Sequence, residues 1–160
     1  MTIFAIDPGN THSGIALIES GTCKPISVAK IPNADVLALI KTTSYDRLSI
    51  EMIASYGMAV GKEVFDTCVW IGRFTQRHND RVAEYADCTL VYRRDVKLHH
   101  CHSAKAKDAN ITQALIDRFA YGQPNRGKGT KAEPGWFYGF AADIWQAYAL
   151  AVHTNDTATN

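Results

Sequence analysis

Three acidic side chains stand in otherwise apolar segments of this sequence, and they are the residues best placed to do chemistry. Asp7 follows a short apolar run and leads into Pro8-Gly9, and Glu51 lies inside the strand-like segment 47–53. Asp143 lies among small residues in the first turn of a predicted helix over 139–153. A lone buried carboxylate is costly, so each acid must be paired or must lie at the end of its element.

Convergence of these acids would create a site for divalent cations. Mutual repulsion of three carboxylates must be offset by positive charge, and hard oxygen ligands suit Mg²⁺ or Mn²⁺. A structural role is open for each acid as well. Asp7 could cap its Pro-Gly turn, Asp143 could be a helix charge favoured by the macrodipole, and Glu51 could pair with a Lys or Arg at the sheet rim.

The elements around the acids predict an α/β fold. The first two strands form a hairpin across residues 3–18, and a third strand follows at 23–31. Further strands are predicted at 47–53 and 89–92, and helices at 34–41, 62–77, 104–120 and 139–153. The first three strands are joined too tightly to be parallel, so the sheet is mixed. The ends of its central strands are where sites are built.

Composition places the chain among globular proteins. Its 160 residues, 46% of them hydrophobic and 21% charged, fit one domain spanning 1–160. No apolar run approaches the ~20 residues of a membrane span, and the N-terminus lacks signal-peptide features, so we expect a cytoplasmic protein without a membrane partner. The four cysteines form no CxxC pair and are predicted to be free thiols.

The ordered set of motifs resembles a known family. Asp7-Pro8-Gly9 with Gly14-Ile15-Ala16, then Ile50-Glu51, then Asp143 in a helix ending at residues 149–152, is similar to RuvC-type Holliday-junction resolvases of the RNase H-like superfamily. Segments 54–57, 64–74 and 105–110 look most like bacteriophage-encoded members. The resemblance covers nearly the whole chain.

The resemblance implies both a fold and an activity. The fold is RNase H-like: a five-stranded mixed sheet, with a three-stranded antiparallel meander plus parallel strands, flanked by helices. The activity is that of a Mg²⁺-dependent crossover junction endodeoxyribonuclease of DNA recombination and repair. Such an enzyme acts as a homodimer on four-way DNA junctions, in the host cytoplasm if it is phage-encoded.

Residue by residue, the resemblance makes Asp7, Glu51 and Asp143 the ligands of two Mg²⁺ ions per site, for which Mn²⁺ substitutes. The family commonly has two acidic positions three residues apart at the last helix. Here Gln146 stands three residues after Asp143, so Gln146 is a candidate fourth ligand and the identity of that ligand stays open. Two such ions can activate a water and stabilise the leaving 3′-oxygen, so no nucleophilic side chain is needed.

Basic and aromatic residues supply candidates for contact with DNA. Phosphates attract Lys and Arg, and a wedge into an opened junction requires an exposed apolar or aromatic side chain, for which Tyr56 is placed just after the Glu51 strand. The helix bearing Trp70 and Phe74 is a candidate dimer face, with burial inside the monomer as its alternative. The phosphate contacts are predicted at Arg93, Arg94, Lys105, Lys107, Lys128 and Lys131.

Other functions fit parts of the same pattern. An RNA–DNA hybrid nuclease would share the fold and the chemistry, and a non-catalytic junction-binding protein is consistent with Gln146. The run Asp7-x-Gly9-x-Thr11 resembles the phosphate loop of actin-like and sugar-kinase ATPases, but no second loop is present. The cluster His99-His100-Cys101-His102 lacks zinc-type pair spacing. We predict a strand end at Leu98 and Cys101 instead, with one histidine of the cluster facing DNA phosphate or the active site.

Overall fold

A computed structural model describes residues 1–81 and 87–158 of the chain. Five strands and five α-helices are present in these residues, together with a short 3₁₀ helix at Pro124–Gly127. In chain order they are β1 (Thr2–Asp7), β2 (His12–Glu19), β3 (Pro25–Pro32), α1 (Asn33–Thr42), β4 (Arg47–Met52), α2 (Lys62–Arg81), β5 (Asp87–Tyr92), α3 (Arg93–Cys101), α4 (Asp108–Phe119) and α5 (Ile144–Ala158).

The strands form one mixed sheet in the order β3-β2-β1-β4-β5. The meander β1-β2-β3 is antiparallel, whereas β4 runs parallel to both β1 and β5. This confirms the predicted five-stranded mixed sheet. β1 lies at the centre, so Asp7 at its carboxyl end is flanked by β2 on one side and β4 on the other.

Side chains alternate between two apolar layers because successive strand residues point to opposite faces. One face of β1 carries Phe4 and Ile6, which pack with residues of α1 and α2. The other face carries Ile3 and Ala5, which pack beneath α5. Helix α5 is buried from Ile144 to Val152, which explains its small and apolar composition. Asp7, two positions after Ala5, therefore belongs to the α5 face.

Residues 93–101 form helix α3, so the prediction of a strand end at Leu98 and Cys101 is wrong. Val96 is fully buried, and His100, one helical turn later, donates from Nε2 to the carbonyl of Ala149 in α5 at 2.8 Å. Packing against α5 thus stabilises the helical conformation of this segment. The sequence shows little helical periodicity here, because the helix has one buried apolar residue. The helix ends at His102, which adopts the left-handed conformation with φ 55°.

Several helix boundaries also differ from prediction. Helix α2 continues to Arg81, and α4 begins at Asp108 rather than 104. Helix α5 begins at Ile144, so Asp143 stands directly before it and not within its first turn. The Asp143 carbonyl accepts the N–H of Ala147 at 3.0 Å, which makes this residue the cap that starts the helix.

The candidate dimer helix divides its apolar residues between the core and the surface. Phe74 is fully buried in the core and Trp70 is half-buried, whereas Phe65 and Val69 are 61% and 54% exposed. All four cysteines are free, as predicted. In the part of the chain that the structure describes, no helix is long and apolar enough to cross a membrane.

Candidate active site

Asp7 is held at the carboxyl end of β1 by a braced turn. The Asn33 side chain donates from Nδ2 to the Gly9 carbonyl at 2.9 Å and accepts from the Ser13 hydroxyl at 2.6 Å. Both Asn33 and Ser13 are buried. Gly9 leaves no room for a side chain, because a Cβ there would lie 2.2 Å from the His12 carbonyl oxygen. The turn therefore fixes where β1 ends.

Strand register brings Asp143 and Glu51 to Asp7. Asp7 pairs with Gly14 across β1 and β2, and Gly14 is covered by the Asp143 backbone, since a Cβ on Gly14 would lie 2.5 Å from the Asp143 carbonyl oxygen. On the other side, Ile6 pairs with Ile50 in parallel register. Glu51 thus follows Ile50 just as Asp7 follows Ile6, and the three acids gather at one edge of the sheet.

Burial raises the pKa of two of these acids. Burial raises the pKa of Asp7 well above its ordinary value, and the negative charges of Glu51, Asp143 and Asp108 add to the rise. Burial likewise raises the pKa of Glu51, while the Arg93 guanidinium opposes this. Both carboxyls therefore resist ionisation unless a positive charge is close.

Two basic residues supply positive charge in the structure. Arg93 bridges two acids: Nη1 lies 2.9 Å from Glu51 Oε2, and Nη2 lies 2.5 Å from Asp108 Oδ1. Lys30 Nζ lies 2.5 Å from Asp143 Oδ2. The pairing of Glu51 with a basic residue at the sheet rim, which the sequence left open, is present.

The donor set suits a divalent cation in chemistry but not in its present arrangement. Carboxylates are the ligands Mg²⁺ prefers, and the buried Gln146 Oε1, one helical turn after Asp143, has no hydrogen-bond partner among the residues that the structure describes. However, within residues 1–81 and 87–158 no three His, Cys, Asp or Glu side chains are grouped closely enough to hold a metal ion. The Arg93 and Lys30 pairs each engage one carboxylate oxygen of a predicted ligand.

Sequence reasoning missed Asp108 and Lys30. Lys30 pairs with Gly14 in the β2–β3 register, in the same row as Asp7, so the meander could have indicated it. Asp108 begins α4 and reaches the site only because α4 packs beside α3. No local sequence signal indicates that contact.

Part of the predicted DNA-contacting set lies beside the acids. Tyr56, Arg93 and Arg94 line one cavity of about 370 Å³, together with Lys97 and Ala104. Tyr56 is 63% exposed.

The remaining predicted lysines lie on two other segments. Lys105 and Lys107 are exposed in the turn that leads into α4. Lys128 and Lys131 lie on a separate loop, which packs at the far end of α4 through the stacking of Trp136 on Phe119 at 5.2 Å between ring centroids. The structure therefore places four of the six predicted basic residues on the side of α3 and α4 that adjoins the acids. These four are Arg93, Arg94, Lys105 and Lys107.

The histidine cluster makes protein contacts. His99 Nε2 lies 2.7 Å from Asp156 Oδ2, and His100 Nε2 binds the Ala149 carbonyl. The rings of His99 and His153 meet edge to face at 5.2 Å. These contacts tie α3 to α5.

Comparison with known proteins identifies the fold. No protein-family model and no curated protein matches the sequence. A structure of RuvC from Thermus thermophilus is 12% identical and superposes with a TM-score of 0.72, covering 99% of this chain and 96% of its own. The same organism's RuvC in complex with a Holliday junction substrate is 14% identical, with a TM-score of 0.69 and coverage of 99% and 94%. The chain has the RuvC-type, RNase H-like fold.

Proposed function

We propose that this protein is a divalent-metal-dependent endonuclease that resolves four-way DNA junctions as a homodimer. The observation that carries the proposal is the gathering of Asp7, Glu51 and Asp143 at one sheet edge. The fold shared with a RuvC that was solved with a Holliday junction substrate supports the choice of substrate. The bacteriophage affinity stays a prediction from sequence.

In this proposal the acids hold the metal and the surrounding chain fixes the acids. Asp7 is central because its partners approach from both sides, through β4 and through the turn that precedes α5. Gln146 offers a neutral oxygen in place of a fourth carboxylate. Bound Mg²⁺ or Mn²⁺, two ions per site, would activate water and stabilise the leaving 3′-oxygen of a phosphodiester.

Contacts with the DNA backbone come from the basic residues around the acids. Arg93, Arg94 and Lys97 line the cavity next to Glu51, and Lys105 and Lys107 extend the positive charge toward α4. Lys128 and Lys131 would bind a more distant part of the junction.

The exposed Tyr56 would stack or wedge at the opened crossover. The exposed Phe65 and Val69 of α2 form the apolar surface that we assign to the homodimer.

A substrate panel tests the proposal. Wild-type protein is incubated with a synthetic four-way junction, a linear duplex of the same sequence and an RNA–DNA hybrid, each with Mg²⁺, with Mn²⁺ and with EDTA. We expect paired cuts in the junction when Mg²⁺ or Mn²⁺ is present, and no cuts in EDTA. Preference for the hybrid would mean that the protein is an RNA–DNA hybrid nuclease and not a junction resolvase.

A non-catalytic junction-binding protein is the second candidate, and the ion pairs on Glu51 and Asp143 favour it. Tight junction binding without cleavage under every metal condition would establish that function instead.

A further inference from the structure

Arg93 lies between two acids, Glu51 and Asp108, and a cavity lined by basic residues. It is the first residue of α3 and directly follows Tyr92, which pairs with Met52 in the parallel β4–β5 register. The guanidinium therefore enters the site from just beyond the end of β5, the strand next to the one that carries Glu51. The Arg93 side chain is 21% exposed, so it is neither sealed in the core nor free in solvent.

The two halves of the Arg93 bridge differ in their environment. The Glu51 side chain is 13% exposed, whereas that of Asp108 is 65% exposed. A charge-assisted hydrogen bond is weak in water and stronger when shielded from it. Arg93 thus holds Glu51 firmly, while its contact with Asp108 competes with water.

Glu51 is also a predicted metal ligand, so Arg93 and a divalent cation compete for the same carboxylate. The Glu51 oxygen that Arg93 binds is unavailable to a cation while the 2.9 Å contact lasts. A guanidinium beside the acids also repels a second cation. A site built for metal alone would not need this contact, but a site that must stay folded without metal does, because uncompensated buried carboxylates are costly.

The structure also offers Arg93 another partner. The cavity of about 370 Å³ beside Glu51 is lined by Tyr56, Arg93, Arg94, Lys97 and Ala104, and no acid lines it among the described residues. Three positive charges around one opening attract an anion. In the proposed function, that anion is a phosphate of the DNA strand that enters the site.

We infer that Arg93 is a displaceable counter-cation: it neutralises Glu51 and Asp108 in the metal-free protein, and moves to a DNA phosphate in the adjoining cavity when metal binds the acids. This inference rests on the proposed function. It makes Arg93 a positioning residue that couples metal binding to DNA binding, since each event frees the partner that the other one needs.

The first experiment measures metal binding without DNA. Mn²⁺ is titrated calorimetrically at pH 8 into wild-type protein, Arg93→Gln and Arg93→Lys, with folding checked by circular dichroism. We expect Arg93→Gln to bind Mn²⁺ about tenfold more tightly, because a charge-assisted hydrogen bond to Glu51 no longer has to break. Arg93→Lys keeps the charge and should stay within about threefold of wild type. Weaker binding by Arg93→Gln, as for a residue that merely shapes the site, overturns the inference.

The second experiment measures binding of a four-way junction in EDTA and in Ca²⁺, with Arg94→Gln as the matched control from the same cavity. In EDTA, Arg93 is engaged by Glu51, so Arg93→Gln should bind the junction as wild type does. In Ca²⁺ it should bind about fivefold more weakly, and its salt slope should fall by about one. Arg94→Gln should weaken binding equally in both conditions.

The outcomes separate this inference from the proposed function. Equal weakening of Arg93→Gln in EDTA and in Ca²⁺ overturns the inference and leaves the function standing. Failure of the wild-type protein to prefer the junction over a duplex overturns the function, while the Mn²⁺ titration still tests the exchange at Glu51.

Discussion

Gly14→Ala should damage the site without replacing any acid. A Cβ at residue 14 would lie 2.5 Å from the Asp143 carbonyl oxygen and 2.8 Å from its carbon. Unstrained carbon–oxygen contacts lie near 3.3 Å, so the turn carrying Asp143 must retreat by about 0.8 Å from residue 14. Neither neighbour is a flexible side-chain end, so the backbone itself must move.

Two effects of known size follow from that displacement. Overpacking of this kind costs about 1–3 kcal/mol of unfolding free energy, which lowers the melting temperature by about 2–4 °C per kcal/mol. Misplacement of a catalytic group by about 1 Å costs on the order of 100-fold in rate. We therefore expect Gly14→Ala to remain folded and to cut a four-way junction about 100 times more slowly.

Gly72→Ala is the matched control. Gly72 lies in the exposed part of α2, where a Cβ would meet nothing within 4 Å. The substitution should stabilise the protein by about 0.5–1 kcal/mol, because alanine loses less backbone entropy in a helix. Thermal melts and single-turnover cleavage measure both variants. Wild-type stability and cleavage in Gly14→Ala would refute the placement of Asp143 over Gly14.

Three further substitutions test the electrostatics. Gln146→Met should raise the melting temperature of the metal-free protein by about 3 °C, because a buried unpaired oxygen is removed, and should weaken Mn²⁺ binding in a titration. The raised pKa of Asp7 means that wild-type stability falls as pH rises from the unfolded-state pKa through the folded one. Asp7→Asn should therefore be more stable than wild type at pH 8 in EDTA, with a gap that closes in denaturant melts toward pH 4. Burial lowers the pKa of His100 to about 4, so stability should fall by up to about 3 kcal/mol as pH drops from about 6.5 to 4. His100→Gln should flatten that part of the profile, and an unchanged profile would contradict the pKa shift.

The fold was predictable because strand signals and short connections are local. Apolar runs broken by Pro8-Gly9 and by the turn at residues 19–21 define the meander, and the alternation of strands and helices defines the rest. Helix α3 was not predictable, since Val96 is its buried residue and its other side chains are polar or half-exposed. Contact with α5 decides its structure.

The candidate site was predictable only in its acids. Asp7, Glu51 and Asp143 could be found because each interrupts an apolar or small-residue segment. The bridge of Arg93 to Asp108 could not, because these residues meet through the packing of α3 against α4, which no sequence period encodes. The sequence also could not show that Glu51 is already paired.

Cleavage of a synthetic four-way junction by wild-type protein and by Asp7→Asn, with Mg²⁺ or Mn²⁺, is the most direct test of the central claim. Asparagine keeps the size of the side chain at the end of β1 but removes the charge that holds the metal in the proposed function. We predict symmetric cuts by the wild type, and a variant that binds the junction but does not cut it. Cleavage by Asp7→Asn at the wild-type rate would contradict a metal site centred on this residue.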